Sequence, residues 1–102
     1  MKILPAPLSF VWDTGNLLKN LKKHNVSIQE AEEMFVSEPF TVTSDAKHSA
    51  ADEKRFQALG QTKTNRKLFA AFTIRDRKIR VISIRDMSRK EKLLYEQIKT
   101  NS

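Results

Sequence analysis

The sequence contains no cysteine, which excludes disulfide bonds, zinc–thiolate centres and cysteine nucleophiles. It has only two glycines, too few to build the glycine-rich turn of a P-loop or of a dinucleotide-binding fold. The two histidines, His24 and His48, are distant in sequence and lack the spacing of metal ligands. We therefore predict no metal and no cofactor, and a reducing, cytoplasmic environment.

Long hydrophobic runs are also missing. No apolar stretch approaches the roughly 20 residues that a transmembrane helix needs, so no membrane association is expected. The first nine residues are interrupted by Pro5 and Pro7, and Asp13 follows before the apolar centre of an export signal could form. A chain of 102 residues, 39% of them hydrophobic, has the size of one domain, predicted over residues 1–102 with a flexible tail at 100–102.

Positive charge is abundant and unevenly distributed. The net charge is +7, and between Lys63 and Lys99 twelve Lys or Arg residues stand against four acidic ones. The rest of the chain is close to neutral, so the field of this half would attract a polyanion such as RNA. The alternative interpretation is a solvated surface that only keeps the protein in solution.

Two helices are predicted in the first part of the chain. Asp13 is suited to cap a helix over roughly residues 14–24, which should end by Asn25, a residue that tolerates the left-handed conformation. Ser27 and Glu30 form a capping-box pattern that opens a second helix, and Pro39 forbids its continuation.

The middle of the chain has the composition and alternation of β-strands. Gly60 is expected to end the second strand in a turn, and Arg75–Arg77 has the length of a hairpin connection between the last two strands. Strands are therefore predicted at residues 40–43, 55–59, 68–74 and 78–84.

The last element is a helix that opens at a second capping-box pattern, Ser88 with Glu91, and directs Leu94 and Ile98 inward. Residues 10–12 are interpreted only as a short extended segment. The predicted fold class is α+β: two N-terminal helices, an antiparallel sheet of about four strands and one C-terminal helix.

Arginines are the side chains best suited to chemistry here. A guanidinium binds phosphate through two parallel hydrogen bonds and keeps its charge, and RNA supplies its own nucleophile, the 2′-hydroxyl. The alternative for any one arginine is an internal ion pair, with Glu53, Asp76 or Asp86 as partner. The candidates on predicted strands and turns are Arg55, Arg66, Arg75, Arg80, Arg85 and Arg89.

Strict alternation along the last strand separates the strongest candidates. It assigns Arg80, Ile82 and Ile84 to one face of the sheet. The other face then receives Ile79, Val81, Ser83 and Arg85, so neither face is cleanly polar.

Proton transfer has weaker candidates. His24 could act as acid or base because its ordinary pKa is about 6.5, or it could simply end a helix. Tyr95 could stack on a base or donate a proton, although an amphipathic helix more often turns such a residue toward the core. Trp12 is expected to anchor the core.

The order of these residues resembles the BrnT-type toxins, which share the RelE-like ribonuclease fold. The resemblance covers roughly residues 10–96. Its motifs are Phe10-x-Trp12-Asp13, Asn20-x-x-Lys23-His24-x-Val26-Ser27, Glu30-Ala31, Phe35, Glu53-x-Arg55, Gly60, Arg66-x-Leu68, Thr73-x-Arg75, the run Arg80 to Arg85, and Ser88-Arg89-x-Glu91 with Tyr95.

The resemblance implies a metal-independent endoribonuclease that inhibits translation, with or without the ribosome. It also implies a DNA-binding antitoxin of the ribbon-helix-helix type, through which the complex would reach operator DNA. By matching positions, it makes Arg80, Arg85, His24 and Ser83 the catalytic candidates and Lys23, Arg55, Arg75 and Arg89 the RNA-binding candidates.

Two other functions stay open on the sequence. The same arginines could hold phosphates without cutting, in a non-catalytic nucleic-acid-binding or regulatory module. The basic surface could also meet only an acidic protein partner.

Overall fold

The structure is a computed structural model, and it describes Leu4 and residues 8–12, 16–49, 51 and 53–101. In these residues three helices and five strands follow one another, with a short 3-10 helix at Ala46–His48. Their order is β1 (Phe10–Val11), α1 (Asn16–Lys23), α2 (Ile28–Phe35), β2 (Thr41–Ser44), β3 (Arg55–Gln61), β4 (Lys67–Arg75), β5 (Lys78–Asp86) and α3 (Arg89–Thr100).

The predicted helices are confirmed, and their ends follow local chemistry. Asn25 adopts the expected left-handed conformation, with φ of 54°, directly after α1. The Ser27 hydroxyl accepts a hydrogen bond from the Glu30 amide at 3.0 Å, and a second capping box opens α3. The predicted cap at Asp13 lies outside the described residues.

The sheet has the order β1-β5-β4-β3-β2 and is mixed, which corrects the prediction of about four antiparallel strands. Strands β2 to β5 are antiparallel neighbours, and a two-residue turn at Asp76 and Arg77 joins β4 to β5 as predicted. The fifth strand is β1, which pairs parallel to β5. A strand of two residues is too short to show alternation, and its partner lies almost 70 positions away, so the sequence signal was absent.

A β-bulge in β5 changes which side chains share a face. Ala71 of β4 pairs with Ser83 whereas Phe72 pairs with Val81, so Ile82 is the extra residue. The alternation predicted from the sequence is therefore wrong at this point. Arg80 lies on the same face as Ser83 and Arg85, because all three pair with alternate residues of β4.

The register of the pairing defines two faces of the sheet. The core face contains the apolar side chains Phe56, Ala58, Leu68, Ala70, Phe72, Ile79, Val81 and Ile84. The opposite face, named the arginine face here, contains Arg55, Gln57, Leu59, Phe69, Ala71, Thr73, Arg80, Ser83 and Arg85.

Helices α1 and α2 cover the core face. They bury Leu21, Ala31, Met34 and Phe35 against it, and each fully buried large apolar side chain contributes about 1.5–3 kcal/mol. Gly60 lies inside β3, so the prediction that it ends the strand is wrong. The position needs glycine for another reason: a Cβ there would come within 2.5 Å of the Met34 carbonyl oxygen. This glycine permits the close approach of α2 to the sheet.

Helix α3 covers only one end of the arginine face. Tyr95 is fully buried there with Leu59 and Met87, which confirms its interpretation as a core residue. Leu94 and Ile98, predicted to point inward, face the sheet across a cavity, but Leu94 is 51% exposed and Ile98 is only half-buried. The helix packs through the stripe that contains Tyr95, and in the described part of the chain the other two helices lie on the core face.

Candidate functional site

The arginine face is a grid of three rows that cross β3, β4 and β5. Strand pairing aligns the members of each row, and neighbouring strands are about 4.8 Å apart. The first row, named the charged row, is Arg55–Thr73–Arg80, the middle row is Gln57–Ala71–Ser83, and the covered row is Leu59–Phe69–Arg85 under α3.

The charged row brings two arginines toward one another. Arg55 and Arg80 stand on strands two apart, so their Cα atoms are separated by about 10 Å, a span that two arginine side chains can close around one phosphate. Both are half-buried, and Thr73 between them is buried, its hydroxyl donating to the Lys54 carbonyl oxygen at 2.7 Å. Within the described part of the chain, the Arg55 guanidinium pairs with no carboxylate.

The middle row, next to the charged row, has its smallest side chain at the centre, and the space above that side chain is named the hollow here. Ala71 ends at its Cβ, so the space above it is bounded by Gln57 on one strand and Ser83 on the other. Gln57 Nε2 donates to Asp45 Oδ2 at 3.1 Å, which favours one orientation of the amide. A phosphate in this hollow would meet the Ser83 hydroxyl and both arginines of the charged row.

Arg85 is bound within the protein. Its two terminal nitrogens donate to the two carboxylate oxygens of Glu91 at 2.9 and 3.0 Å, and its guanidinium lies 4.0 Å from the centre of the Phe69 ring. Burial raises the pKa of Glu91, but hydrogen bonds from Arg85 and Ser88 outweigh it, and the net shift is downward. The alternative of an internal ion pair therefore holds for this arginine, with a partner that the sequence analysis did not consider.

Arg66 and Arg75 are also paired. Arg66 donates to Asp86 at 2.8 and 3.0 Å, to Glu30, and to the carbonyl oxygens that end α1, so it fastens the α1–α2 turn to the sheet. Arg75, at the end of β4, is 58% exposed and forms an ion pair with Glu53. Asp86 and Glu53 were both among the partners named from the sequence, although neither was assigned there to a particular arginine.

The remaining sequence candidates lie off the arginine face. Lys23 and His24 are at the end of α1, in the layer that covers the core face, and Arg89 is the exposed first residue of α3. No hydrogen bond between described residues joins His24 to Arg80, Ser83 or Arg85.

His24 and Lys92 are instead close to Asp86. Hydrogen bonds from Arg66 lower the pKa of Asp86 against the opposing effect of burial, and the charges of Arg66, Lys92 and His24 contribute in the same direction.

The sequence analysis missed Gln57, Ala71 and Thr73 as parts of the site. The alternation of Arg55, Gln57 and Leu59 along β3 was a usable signal, because it places Gln57 beside an arginine on one face. Glu91 was assigned only to a helix cap, which it does serve, and no spacing rule links it to Arg85.

Neither a cluster of metal-ligating side chains nor a membrane-spanning helix occurs among the described residues. Within the ranges that the structure describes, no group of three or more His, Cys, Asp or Glu side chains could hold a metal ion. The helices of the same residues are all too short or too polar to cross a membrane.

Comparison with known families identifies the group. The sequence matches the model of a family described as the ribonuclease toxin BrnT of type II toxin-antitoxin systems, over residues 12–91. The search of curated proteins found no match. The matched region includes α1, α2, strands β2 to β5 and all three rows of the arginine face. The chain belongs to the BrnT family of ribonuclease toxins of type II toxin-antitoxin systems.

Proposed function

We propose that this BrnT-family toxin is a metal-independent endoribonuclease whose active site is the uncovered part of the arginine face, and that it inhibits translation by cutting RNA. The observation that carries the proposal is the placement of Arg55, Arg80 and Ser83 on one face of the sheet, in adjacent rows around the hollow above Ala71. Two guanidinium groups and a hydroxyl around an open space have the size and charge to hold a phosphodiester.

The chemistry requires little beyond orientation and positive charge. The 2′-hydroxyl gives up its proton to a base as its oxygen bonds to the adjacent phosphorus, and the 5′-oxygen takes up a proton as its bond to phosphorus breaks, so the products end in a 2′,3′-cyclic phosphate and a 5′-hydroxyl. Arg55 and Arg80 stabilise the charge that builds up on the phosphoryl oxygens. Because guanidinium groups supply this charge directly, the reaction proceeds without a metal ion.

Among the candidates for proton transfer, Ser83 is the one that lies beside the hollow. Ser83 lies in the middle row, where its hydroxyl can hydrogen bond to the 2′-oxygen or to the phosphate. A hydroxyl is too weak a base to take the 2′-proton by itself, so the base is a further group or a bound water. His24 lies off the arginine face and has no part in this proposal as the base.

The other arginines and Lys23 contact RNA outside the scissile phosphate. Arg85 is a positioning residue: Glu91 and Phe69 hold it at the covered end of the face, where it orients the neighbouring part of the strand. Arg75 and Arg89, both exposed, and Lys23 meet flanking phosphates. Such contacts give affinity that is independent of sequence and falls with salt.

The antitoxin partner in this proposal is a DNA-binding protein of the ribbon-helix-helix type. It neutralises the toxin by covering the arginine face, and the complex binds operator DNA through the antitoxin. The two arginines of the charged row and the net charge of +7 support an acidic covering segment.

The test is cleavage of RNA by the purified protein in the presence of EDTA. Wild type is compared with Arg55→Ala/Arg80→Ala, Arg80→Ala/Arg85→Ala and the control Arg77→Ala, which removes the same charge from the exposed β4–β5 turn. Cleavage with chelator, 2′,3′-cyclic phosphate ends, and loss of cleavage in both double variants but not in Arg77→Ala would support the proposal.

Other outcomes contradict the proposal. Binding of RNA without cutting, by wild type with or without ribosomes, would favour the non-catalytic binding module. Loss of cleavage in EDTA that magnesium restores would overturn metal independence.

A further inference from the structure

A cavity of about 140 Å³ lies between α3 and the sheet, immediately beside the middle row. Its walls come from β2, β3, β4 and one side of α3. We propose that this cavity binds one nucleobase of the RNA whose phosphate occupies the hollow above Ala71, and that it decides where the toxin cuts. The inference rests on the proposed function, because the arginine face must bind RNA for a base to arrive there.

The size and walls of the cavity suit one flat ring. A cavity of roughly 150 Å³ lined by Leu, Ile and Phe is large enough to take benzene. Leu59, Phe69, Leu94 and Ile98 supply apolar walls of the same kind here. The exposed half of Leu94 stands at the mouth, so the cavity opens to solvent on the side from which a base can enter.

The polar groups of the cavity suit the edge of a base. Thr41 and Thr43 of β2 contribute hydroxyls, and Gln57 contributes an amide. The hydrogen bond from Gln57 Nε2 to Asp45 favours one orientation of the amide, which leaves Oε1 and the second N–H for other partners. Among the described residues, the Gln57 side chain makes no other hydrogen bond, so both groups are available to a ligand.

Gln57 also links the cavity to the phosphate site. It belongs to the middle row and lies two residues after Arg55 on the same strand and face, a separation of about 7 Å. A nucleotide held by the charged row therefore needs to extend its base only one step along β3. Single-stranded RNA is commonly read in this way, by a pocket that stacks a base on apolar side chains and hydrogen bonds its edge.

The walls and polar groups of the cavity, together with its position beside the phosphate site, favour a nucleobase as the ligand. An apolar peptide side chain would fill the volume but would make no hydrogen bond to the Gln57 amide or to the Thr41 and Thr43 hydroxyls. A nucleobase satisfies both the walls and the polar groups.

The first experiment is an NMR titration of the full chain with each of the four nucleoside 3′-monophosphates and with ribose 5-phosphate as the probe without a base. We expect ribose 5-phosphate to shift signals of Arg55 and Arg80 only. At least one nucleotide should also shift the Leu94 and Ile98 methyls and the Gln57 side-chain amide. If no nucleotide moves those methyls while the arginine signals respond, the cavity is not a base site and the phosphate site stands.

The second experiment maps cleavage sites on a mixed-sequence RNA. Leu94→Trp fills the mouth of the cavity, and Gln57→Leu removes the hydrogen-bonding amide at similar volume. Leu93→Trp is the matched control, because Leu93 is 64% exposed on the same helix and does not line the cavity. We expect both cavity variants to reduce discrimination between bases about tenfold, with the control unchanged.

The two proposals fail differently in this experiment. A wild type that does not cleave overturns the proposed function. A wild type that cleaves, with the same base preference in Leu94→Trp and Gln57→Leu as in Leu93→Trp, overturns the base pocket alone.

Discussion

The two faces of β4 differ in what their side chains do. Leu68, Ala70 and Phe72 point into the core face and are fully buried, whereas Phe69 and Ala71 alternate with them on the arginine face and are only partly buried. Stability and chemistry therefore use alternate residues of the same strands. A substitution on the core face should therefore reduce stability, whereas a substitution at the next residue, on the arginine face, should affect RNA cleavage and leave stability nearly unchanged.

The arginines divide in a similar way. Arg66 and Arg85 have their guanidinium groups bound to carboxylates of the protein. Arg55 stands at the open part of the arginine face with no carboxylate partner among the described residues. Residue type alone does not distinguish an arginine that supports the fold from one that meets substrate, and the neighbouring side chains decide.

The largest effect should come from Phe72→Ala. Phe72 is fully buried and contacts the rings of Phe35 and Phe56, so its removal leaves a cavity and should reduce the free energy of unfolding by about 3–5 kcal/mol. Urea denaturation measures this. Ala71→Leu on the other face of the same strand is the control, expected to change stability by less than about 1 kcal/mol. Equal losses in the two variants would contradict the separation of the faces.

The next effect concerns activity. Arg80→Ala should reduce RNA cleavage by roughly 10²–10³-fold, because one of two charges on the phosphate is lost, and it should abolish growth inhibition. The melting curve should stay close to that of the wild type. Arg77→Ala, with the same loss of charge in the exposed turn, should cut normally. Full toxicity of folded Arg80→Ala would remove this residue from the site.

Arg66→Met should lower stability without changing the chemistry. The substitution leaves Asp86, Glu30 and two carbonyl oxygens without their donor, at a cost of about 2 kcal/mol, or roughly 10 °C in Tm. Thermal unfolding measures the loss, and cleavage per folded molecule should equal that of the wild type. A normal Tm with reduced cleavage would assign Arg66 to the site instead.

Much of this comparison could be predicted from the sequence. The caps at Ser27 and Ser88, the left-handed Asn25 and the β4–β5 hairpin depend on residues close together in the chain, and all are present. Local signals of this kind need no knowledge of distant partners.

The bulge at Ile82 was not predicted, although the residue pattern of β5 contains a signal for it. Strict alternation mixes polar and apolar residues on both faces of β5. Omitting Ile82 gives one face with Arg80, Ser83 and Arg85 and another with Ile79, Val81 and Ile84, which is apolar until Asp86 ends the strand. A mixed pattern that becomes clean when one residue is omitted indicates a bulge.

Contacts between α3 and the sheet could not be predicted from the sequence. Leu94 and Tyr95 are adjacent on α3, and only the tilt of the helix on the sheet decides which is buried. The pairing of Arg85 with Glu91 depends on the same tilt, because it crosses from β5 to α3. Tertiary packing fixed both.

The smallest effect is a pH dependence of stability that arises from Asp86, at the end of β5. The hydrogen bonds from Arg66 lower the pKa of Asp86 in the folded protein, so its carboxylate stabilises the fold above the unfolded value of about 3.9, and this contribution disappears as pH falls through the folded pKa. Since the Asp86 side chain is 56% exposed, we expect less than about 1 kcal/mol. Urea denaturation of wild type and Asp86→Asn should therefore differ near neutral pH and converge below about pH 3. A difference that stayed constant over this range would mean that the charge of Asp86 is not what holds Arg66, and that the fastening of α1 to the sheet depends on Glu30 and the carbonyl oxygens instead.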